Sequence, residues 1–208
     1  MVKDTYKTID TPSSEILFKE KNSKFFGYAF PASSEENVKT ILESLRKLHP
    51  NAGHFCYAYQ MGTSTYTYRA NDDGEPSNSA GMPIYGQILS FDVTNILVVV
   101  VRIFGGVKLG VGGLISAYKT AAQMALSECE IIEKTIDIHF KIMFDYQFMN
   151  KIMRVVKEKK LDIVTQTMEI NSLTQQPEGI IEIKTRKKNA EMIFDIFNSI
   201  FEIKIIRV

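Results

Sequence analysis

Six apolar residues in a row, Ile96-Leu97-Val98-Val99-Val100-Val101, constrain this chain more than any other segment. Most are β-branched, and such side chains fit a pleated strand better than a helix. A run this apolar and this short reads as a buried strand. Arg102 ends it well before the length a membrane-spanning helix needs. A glycine loop follows at once, Phe104-Gly105-Gly106-Val107-Lys108-Leu109-Gly110-Val111-Gly112-Gly113. An acidic loop precedes the strand, Asn71-Asp72-Asp73-Gly74-Glu75-Pro76. Glycine admits backbone conformations and close approaches that other residues forbid. Glycine, acid and base gathered near one strand end therefore mark a candidate site.

The rest of the chain reads as mixed α+β. Ile16-Leu17-Phe18 and Lys24 to Phe30 are rich in strand formers, with Asn22-Ser23 as the turn between them. Ser33 and Glu36 have capping-box spacing ahead of Val38, Ile41, Leu42, Leu45 and Leu48, which predicts a helix that Pro50 stops. Phe55 to Tyr59 and Tyr66 to Arg69 read as strands, and Pro83 opens a short helix. From Gly113 a long helix runs to Cys129 through Tyr118, Ala121 and Ala125, small enough to lie close against a sheet. Near Lys134 the character changes. Alternation from Ile136 to Phe144, helical spacing over Asp145 to Lys159, strands at Leu161 to Ile170 and Ile180 to Thr185, a helix over Lys188 to Ser199 and a strand over Phe201 to Ile205 give the order βαββαβ. That order fits the ferredoxin-like split motif. The polar loop holding Gln175-Gln176 joins its middle strands. Two domains are expected, 1–133 and 136–208.

Composition excludes several classes. With a net charge of +1, no global field drives the chain onto nucleic acid or an anionic membrane, which leaves local patches as the electrostatic option. The N-terminal residues lack an apolar core of signal-peptide length, so a cytoplasmic protein with no membrane partner is expected. Cys56 and Cys129 are not in a CxxC pair and read as buried free thiols of a reducing compartment. His49, His54 and His139 have no i,i+4 spacing, so no zinc site is expected, and no cofactor.

Each loop has two readings. Gly110, Gly112 and Gly113 lead into a helix whose free N–H groups, with Lys108 and Arg102, suit an anion. Alternatively the glycines only permit a tight strand-to-helix connection. The spacing is neither a Walker nor a Rossmann fingerprint. Asp72, Asp73 and Glu75 could hold a hard cation or act in acid–base chemistry. The structural reading is that one Asp pairs with Arg69 or Arg102 and ties the loops together. His54 opens an aromatic strand with no nucleophile elbow beside it, which favours a hydrogen-bonded structural role. On the second domain, Asp137, His139 and Lys141 share the open sheet face with Glu182, Lys184, Glu202 and Lys204, with no aromatic ring for stacking RNA. Lys157, Lys159, Lys160 and the run Arg186-Lys187-Lys188 are the basic clusters there.

Asp72-Asp73-Gly74-Glu75-Pro76, and Arg102-x-Phe104-Gly105-Gly106-x-Lys108-Leu109-Gly110-x-Gly112-Gly113-Leu114, resemble the YigZ/IMPACT family in its two-domain bacterial form. Lys24-Phe25, His54 with Tyr57-Ala58-Tyr59, and Ala117-Tyr118 extend the resemblance across residues 1–133. The resemblance implies a first domain similar to the second domain of a small-subunit ribosomal protein. It implies a second domain similar to the last domain of elongation factor G. Eukaryotic members of the family regulate translation by competing for the activator of a stress kinase. The chain departs from the family at Gln60 and Ser116, where arginine is usual, and at Asn78-Ser79 and Ile103. The expectation is a binding or regulatory protein linked to translation, more a binder than an enzyme. It would contact RNA or a ribosome-associated protein through His54, Arg69, Asp72, Asp73, Gly74, Glu75, Arg102, Gly105, Gly106, Lys108, Gly110, Gly112 and Gly113. The alternatives are an enzyme acting on a phosphorylated or acidic small molecule, and a protein-docking adaptor.

Overall fold

A computed structural model describes residues 3–170, 177–200 and 203–208. The chain divides into two units. One is Tyr6–Lys134; the other joins the segment ending at Thr5 to Thr135–Val208.

The first unit is built on a five-stranded antiparallel sheet in the order β2-β3-β6-β4-β5. These strands are β2 (Ile16–Glu20), β3 (Ser23–Pro31), β4 (His54–Met61), β5 (Thr67–Asn71) and β6 (Ile96–Ile103). β1 (Thr5–Thr8) pairs with β7 (Ile132–Thr135) in a separate ribbon. The apolar run lies in β6, the central strand, and all six of its residues are fully buried. Its side chains serve two cores, as strand alternation requires. Leu97, Val99 and Val101 face helix α1 (Glu35–Leu48), while Ile96, Val98 and Val100 face α2 (Gly81–Ser90) and α3 (Gly110–Ser127). Each such burial contributes about 1.5–3 kcal/mol. Helix α3 lies close enough that a Cβ on Gly27 of β3 would sit 2.8 Å from the Ala121 carbonyl oxygen.

Several boundaries move by a few residues. The β2–β3 turn is Lys21-Asn22, both with positive φ, rather than Asn22-Ser23; a two-residue hairpin loop of this hand needs that pair of conformations. Ser23 is instead a buried strand residue. Ser34, not Ser33, caps α1: its backbone is extended and its hydroxyl accepts from the Asn37 N–H at 3.2 Å. β6 continues past the apolar run, so Arg102 is a strand residue paired with Phe25 and His54. Helix α3 begins at Gly110, not Gly113.

The second unit holds β8 (Asp137–Asp145), α4 (Met149–Glu158), β9 (Asp162–Ile170), β10 (Pro177–Arg186), α5 (Ala190–Asn198) and β11 (Ile203–Arg207). A single 3-10 turn precedes each helix. The sheet is antiparallel in the order β11-β8-β10-β9. Phe140, Ile142, Phe144, Ile181 and Ile183 pack against Ile152, Val156, Ile193 and Phe197 of the two helices. The opposite face carries Lys141 beside Glu182 and His139 beside Lys184. Gln175, Gln176, Phe201 and Glu202 lie outside the described residues.

Candidate functional site

The two loops meet through one buried carboxylate. Glu75 Oε1 accepts from Arg102 Nη1 at 2.6 Å and from the Tyr118 hydroxyl at 2.7 Å. The Glu75 and Arg102 side chains are only 4% and 6% exposed. Three elements thus converge: the acidic loop after β5, the end of β6, and the third turn of α3. Arg102 is held further by Ser23, whose Oγ accepts from Nη2 at 3.4 Å and from the Gly105 N–H at 3.2 Å. Its guanidinium lies over Phe25 and Phe104, and its Nε is buried with no hydrogen-bond partner among the described residues. The carboxylate that ties the loops is therefore Glu75, not an Asp. The reason is reach: Asp72 and Asp73 are occupied by backbone donors at their own end of the loop.

Asp72 caps α2 from a distance. Its Oδ1 accepts from the N–H groups of Ala80 and Gly81, at 2.9 and 2.8 Å, and its Oδ2 from Asn78 at 2.9 Å. A carboxylate at that helix end also opposes the helix dipole favourably. Asp73 Oδ2 accepts from the Phe55 N–H at 2.7 Å, and Arg46 stands 3.3 Å from its other oxygen. His54 Nδ1 is 2.9 Å from the Asp73 carbonyl oxygen, which only accepts, so this nitrogen carries the proton. Its Nε2 is 3.9 Å from Glu75 Oε1. Arg69 is exposed on edge strand β5 opposite Tyr59 and takes no part in this network. Among the described residues no group of His, Cys, Asp and Glu is placed to hold a metal ion.

Cys56 lies in the same buried cluster. Its Sγ donates to the Asp72 carbonyl at 3.0 Å. Burial pushes its thiol far up, with Glu75, Asp73 and Asp72 adding to the shift. Burial likewise drives the Tyr118 phenol far up, with Cys56 and Glu75 adding to it. Both groups are neutral at physiological pH. Neither Cys56 nor Tyr118 stood out as part of the loop cluster in the sequence, where one lies in an apolar strand and the other on a helix of small residues.

The glycines divide by cause. A Cβ on Gly105 would lie 2.1 Å from the Asn22 carbonyl carbon, so the loop packs directly onto the β2–β3 turn. Gly74 and Gly106 both have φ +86°, as their turns require, and Gly110 starts α3 with φ +74°. Gly112 has neither reason: its φ is negative and an added Cβ would meet open space. With α3 starting at Gly110 and no side chain capping it, the first-turn amides without helical partners are those of Gly110, Val111 and Gly112. The Gly113 amide bonds back within the helix, so of the Gly112-Gly113 pair only the Gly112 amide is among the anion-competent ones.

A cavity of about 380 Å³ opens where the loops meet. Glu75, Pro76, Arg102, Phe104, Lys108 and the Leu109–Val111 segment line it. The Glu75 charge is matched by Arg102, so Lys108 and the positive end of α3 set the sign of the field. Phe104 stands on the lip, 52% exposed.

The other charged candidates lie elsewhere. In the second unit, Lys159 and Lys160 share a polar cavity of about 420 Å³ with Lys184 and Arg186. His139 Nδ1 is 2.8 Å from Glu182 Oε1 on the open sheet face. Gln60, in place of the family arginine, is buried, receiving the Tyr85 hydroxyl and donating to the Val93 carbonyl. Among the described residues no helix is long and apolar enough to cross a membrane.

Residues 21–126 match the Impact N-terminal domain. An IMPACT family member of Haemophilus influenzae is 33% identical over 167 residues, covering 77% of this chain and 80% of the relative. The IMPACT family member YvyE of Bacillus subtilis is 32% identical over 156 residues, covering 75% and 71%. A crystal structure described as that of a hypothetical protein aligns over 100% of this chain and 98% of its own, at TM-score 0.71 and 23% identity, a likeness of fold.

Proposed function

The chain belongs to the IMPACT family, and from that premise we propose that it is a translation-linked binding protein that takes the RNA backbone in the cavity between its glycine loops. One observation carries the reading. The cavity's carboxylate is already matched by Arg102, which leaves Lys108 and the uncapped start of α3 unopposed beside an exposed aromatic ring. Unopposed amides and a lysine suit a phosphate, and a ring on the lip suits a base stacked beside it. Catalysis draws no support here, because Glu75, Cys56 and Tyr118 are held neutral or paired. On the same premise, the first unit is the counterpart of a ribosomal-protein domain and the second that of the last domain of elongation factor G. The Lys159–Arg186 cavity of the second unit would then add a further phosphate contact.

The test is a filter-binding titration of the full chain against structured RNA across salt concentrations. The expected result is affinity that rises steeply as salt falls, with a shallower slope for Lys108→Ala by about one unit. No binding at low salt would overturn the RNA reading. A second reading rests on Phe104, Val107 and Val111, all about half exposed on or beside the same lip, which suit a protein partner. Partners captured from lysate that survive nuclease treatment and are lost with Phe104→Ala would favour it.

A further inference from the structure

On the α1 side of the first unit's sheet lies a second cavity, of about 400 Å³, remote in sequence from both glycine loops. Its walls are apolar. Ile41, Leu45 and Leu48 come from α1, and Tyr28 and Phe30 from β3. The two rings are alternate residues of one strand and stack with centroids 6.1 Å apart and planes 19° apart. Glu15 stands at the mouth, 47% exposed, and is the one charged side chain in the lining. Its position is fixed by the chain just before it, where Ser13 makes two 2.9 Å bonds to the Ala29 backbone.

The hydrogen-bond inventory of the lining decides what it would accept. The Tyr28 hydroxyl donates to Glu15 Oε2. His49 Nε2 lies behind it, 2.5 Å from the same hydroxyl, and so acts as a donor to it. Thr40 and Ser44 donate to carbonyls within α1. Every side-chain donor of the lining but Ser13 is thus committed. What remains is acceptor capacity: the second Glu15 oxygen, hydroxyl lone pairs and two aromatic faces. Burial and Glu15 also push the Tyr28 phenol up, which keeps it a neutral donor to the carboxylate.

We propose that this cavity binds an organic ammonium cation with an apolar body, an arylalkyl or alkyl amine. The ammonium would sit against Glu15 and the Tyr28 face, and the hydrocarbon against Ile41, Leu45 and Leu48. Carboxylate and aromatic face both favour positive charge, and neither favours an anion. This site is independent of the RNA reading, since it shares no residue with that cavity.

The test is calorimetric titration of the full chain with three probes of one shape: 2-phenylethylamine, 2-phenylethanol and 3-phenylpropanoate. The amine is expected to bind at least about tenfold more tightly than the alcohol, which corresponds to the 1.4 kcal/mol of a decade in affinity. The carboxylate is expected not to bind. Glu15→Gln should bring the amine down to the level of the alcohol, while Tyr28→Phe should keep the preference, because ring and carboxylate both remain. Amide shifts on adding amine should cluster at residues 13–15, 28–30 and 40–48. Equal binding of amine and alcohol, tighter binding of the carboxylate, no binding of any probe, or an unchanged amine affinity in Glu15→Gln would each overturn the proposal.

Discussion

Glu75→Gln tests the buried ion pair that joins the two loops. The substitution keeps the shape and removes the charge. Arg102, 6% exposed, would then hold an uncompensated cation in the interior, with a neutral amide oxygen in place of the carboxylate, a 3.4 Å contact to Ser23 and an unpartnered Nε. Leaving one member of a buried pair uncompensated costs about 3–5 kcal/mol. Tyr118→Phe removes the hydrogen bond to the charged Glu75 acceptor, about 1.5–3 kcal/mol. Replacing both partners by apolar residues, Glu75→Leu with Arg102→Met, removes both desolvation penalties and should cost far less than Glu75→Gln alone. Urea denaturation of the full chain, followed by signals from the first unit, reads these differences. At a slope of about 2 kcal/mol/M, the Glu75→Gln midpoint falls by about 2 M. A Glu75→Gln loss under about 1 kcal/mol, or a double variant as unstable as the worse single one, would show that no uncompensated charge is left in the interior.

Other consequences follow from the same geometry. Thermal stability should fall as pH rises above about 9, because Cys56 and Tyr118 are held protonated in the fold while their unfolded counterparts ionise near 9.0 and 10.0. Both folded values are raised, so the contribution is complete below pH 9 and shrinks above it. Tyr59, pushed to about 12 by burial and Glu35, adds to the slope between pH 10 and 12. A melting temperature constant from pH 7 to 11 would contradict this, and Cys56→Ala should flatten the curve. A thiol reagent at neutral pH should label half-buried Cys129 before buried Cys56, and Cys129→Ala should leave the native chain nearly unreactive. Gly105→Ala should destabilise by at least 2 kcal/mol in urea unfolding, of the order expected for an overpacked site, since the clash is with backbone. Gly112→Ala should do the reverse, stabilising α3 by about 0.5–1 kcal/mol while weakening RNA binding.

Much of the architecture was legible because it rests on local signals. The apolar run of β6, the alternation of β8 and the helical spacing of α1 each carry their own period. Boundaries were less legible where two residues competed for one role. Ser33 and Ser34 both have capping chemistry, and the extended backbone of Ser34 decided between them. The start of α3 was obscured because its first turn is rich in glycine, a poor helix former. In the site, the meeting of acidic loop and Arg102 was readable from charge, yet the choice of Glu75 was not. It depended on Asp72 and Asp73 finding backbone N–H groups first, a tertiary fact. Ser23 reads as a turn residue, Cys56 as a buried thiol and Tyr118 as one position of a family motif, and none of these readings ties them to the loop cluster until the fold encloses it.

Phosphate binding in the loop-lined cavity can be seen directly. A crystal of the full chain soaked in a nucleoside monophosphate tests it most directly. Phosphate density is expected against Lys108 and the amides of Gly110, Val111 and Gly112, with the base on Phe104. An empty cavity at saturating nucleotide, or phosphate bound away from the start of α3, would contradict it.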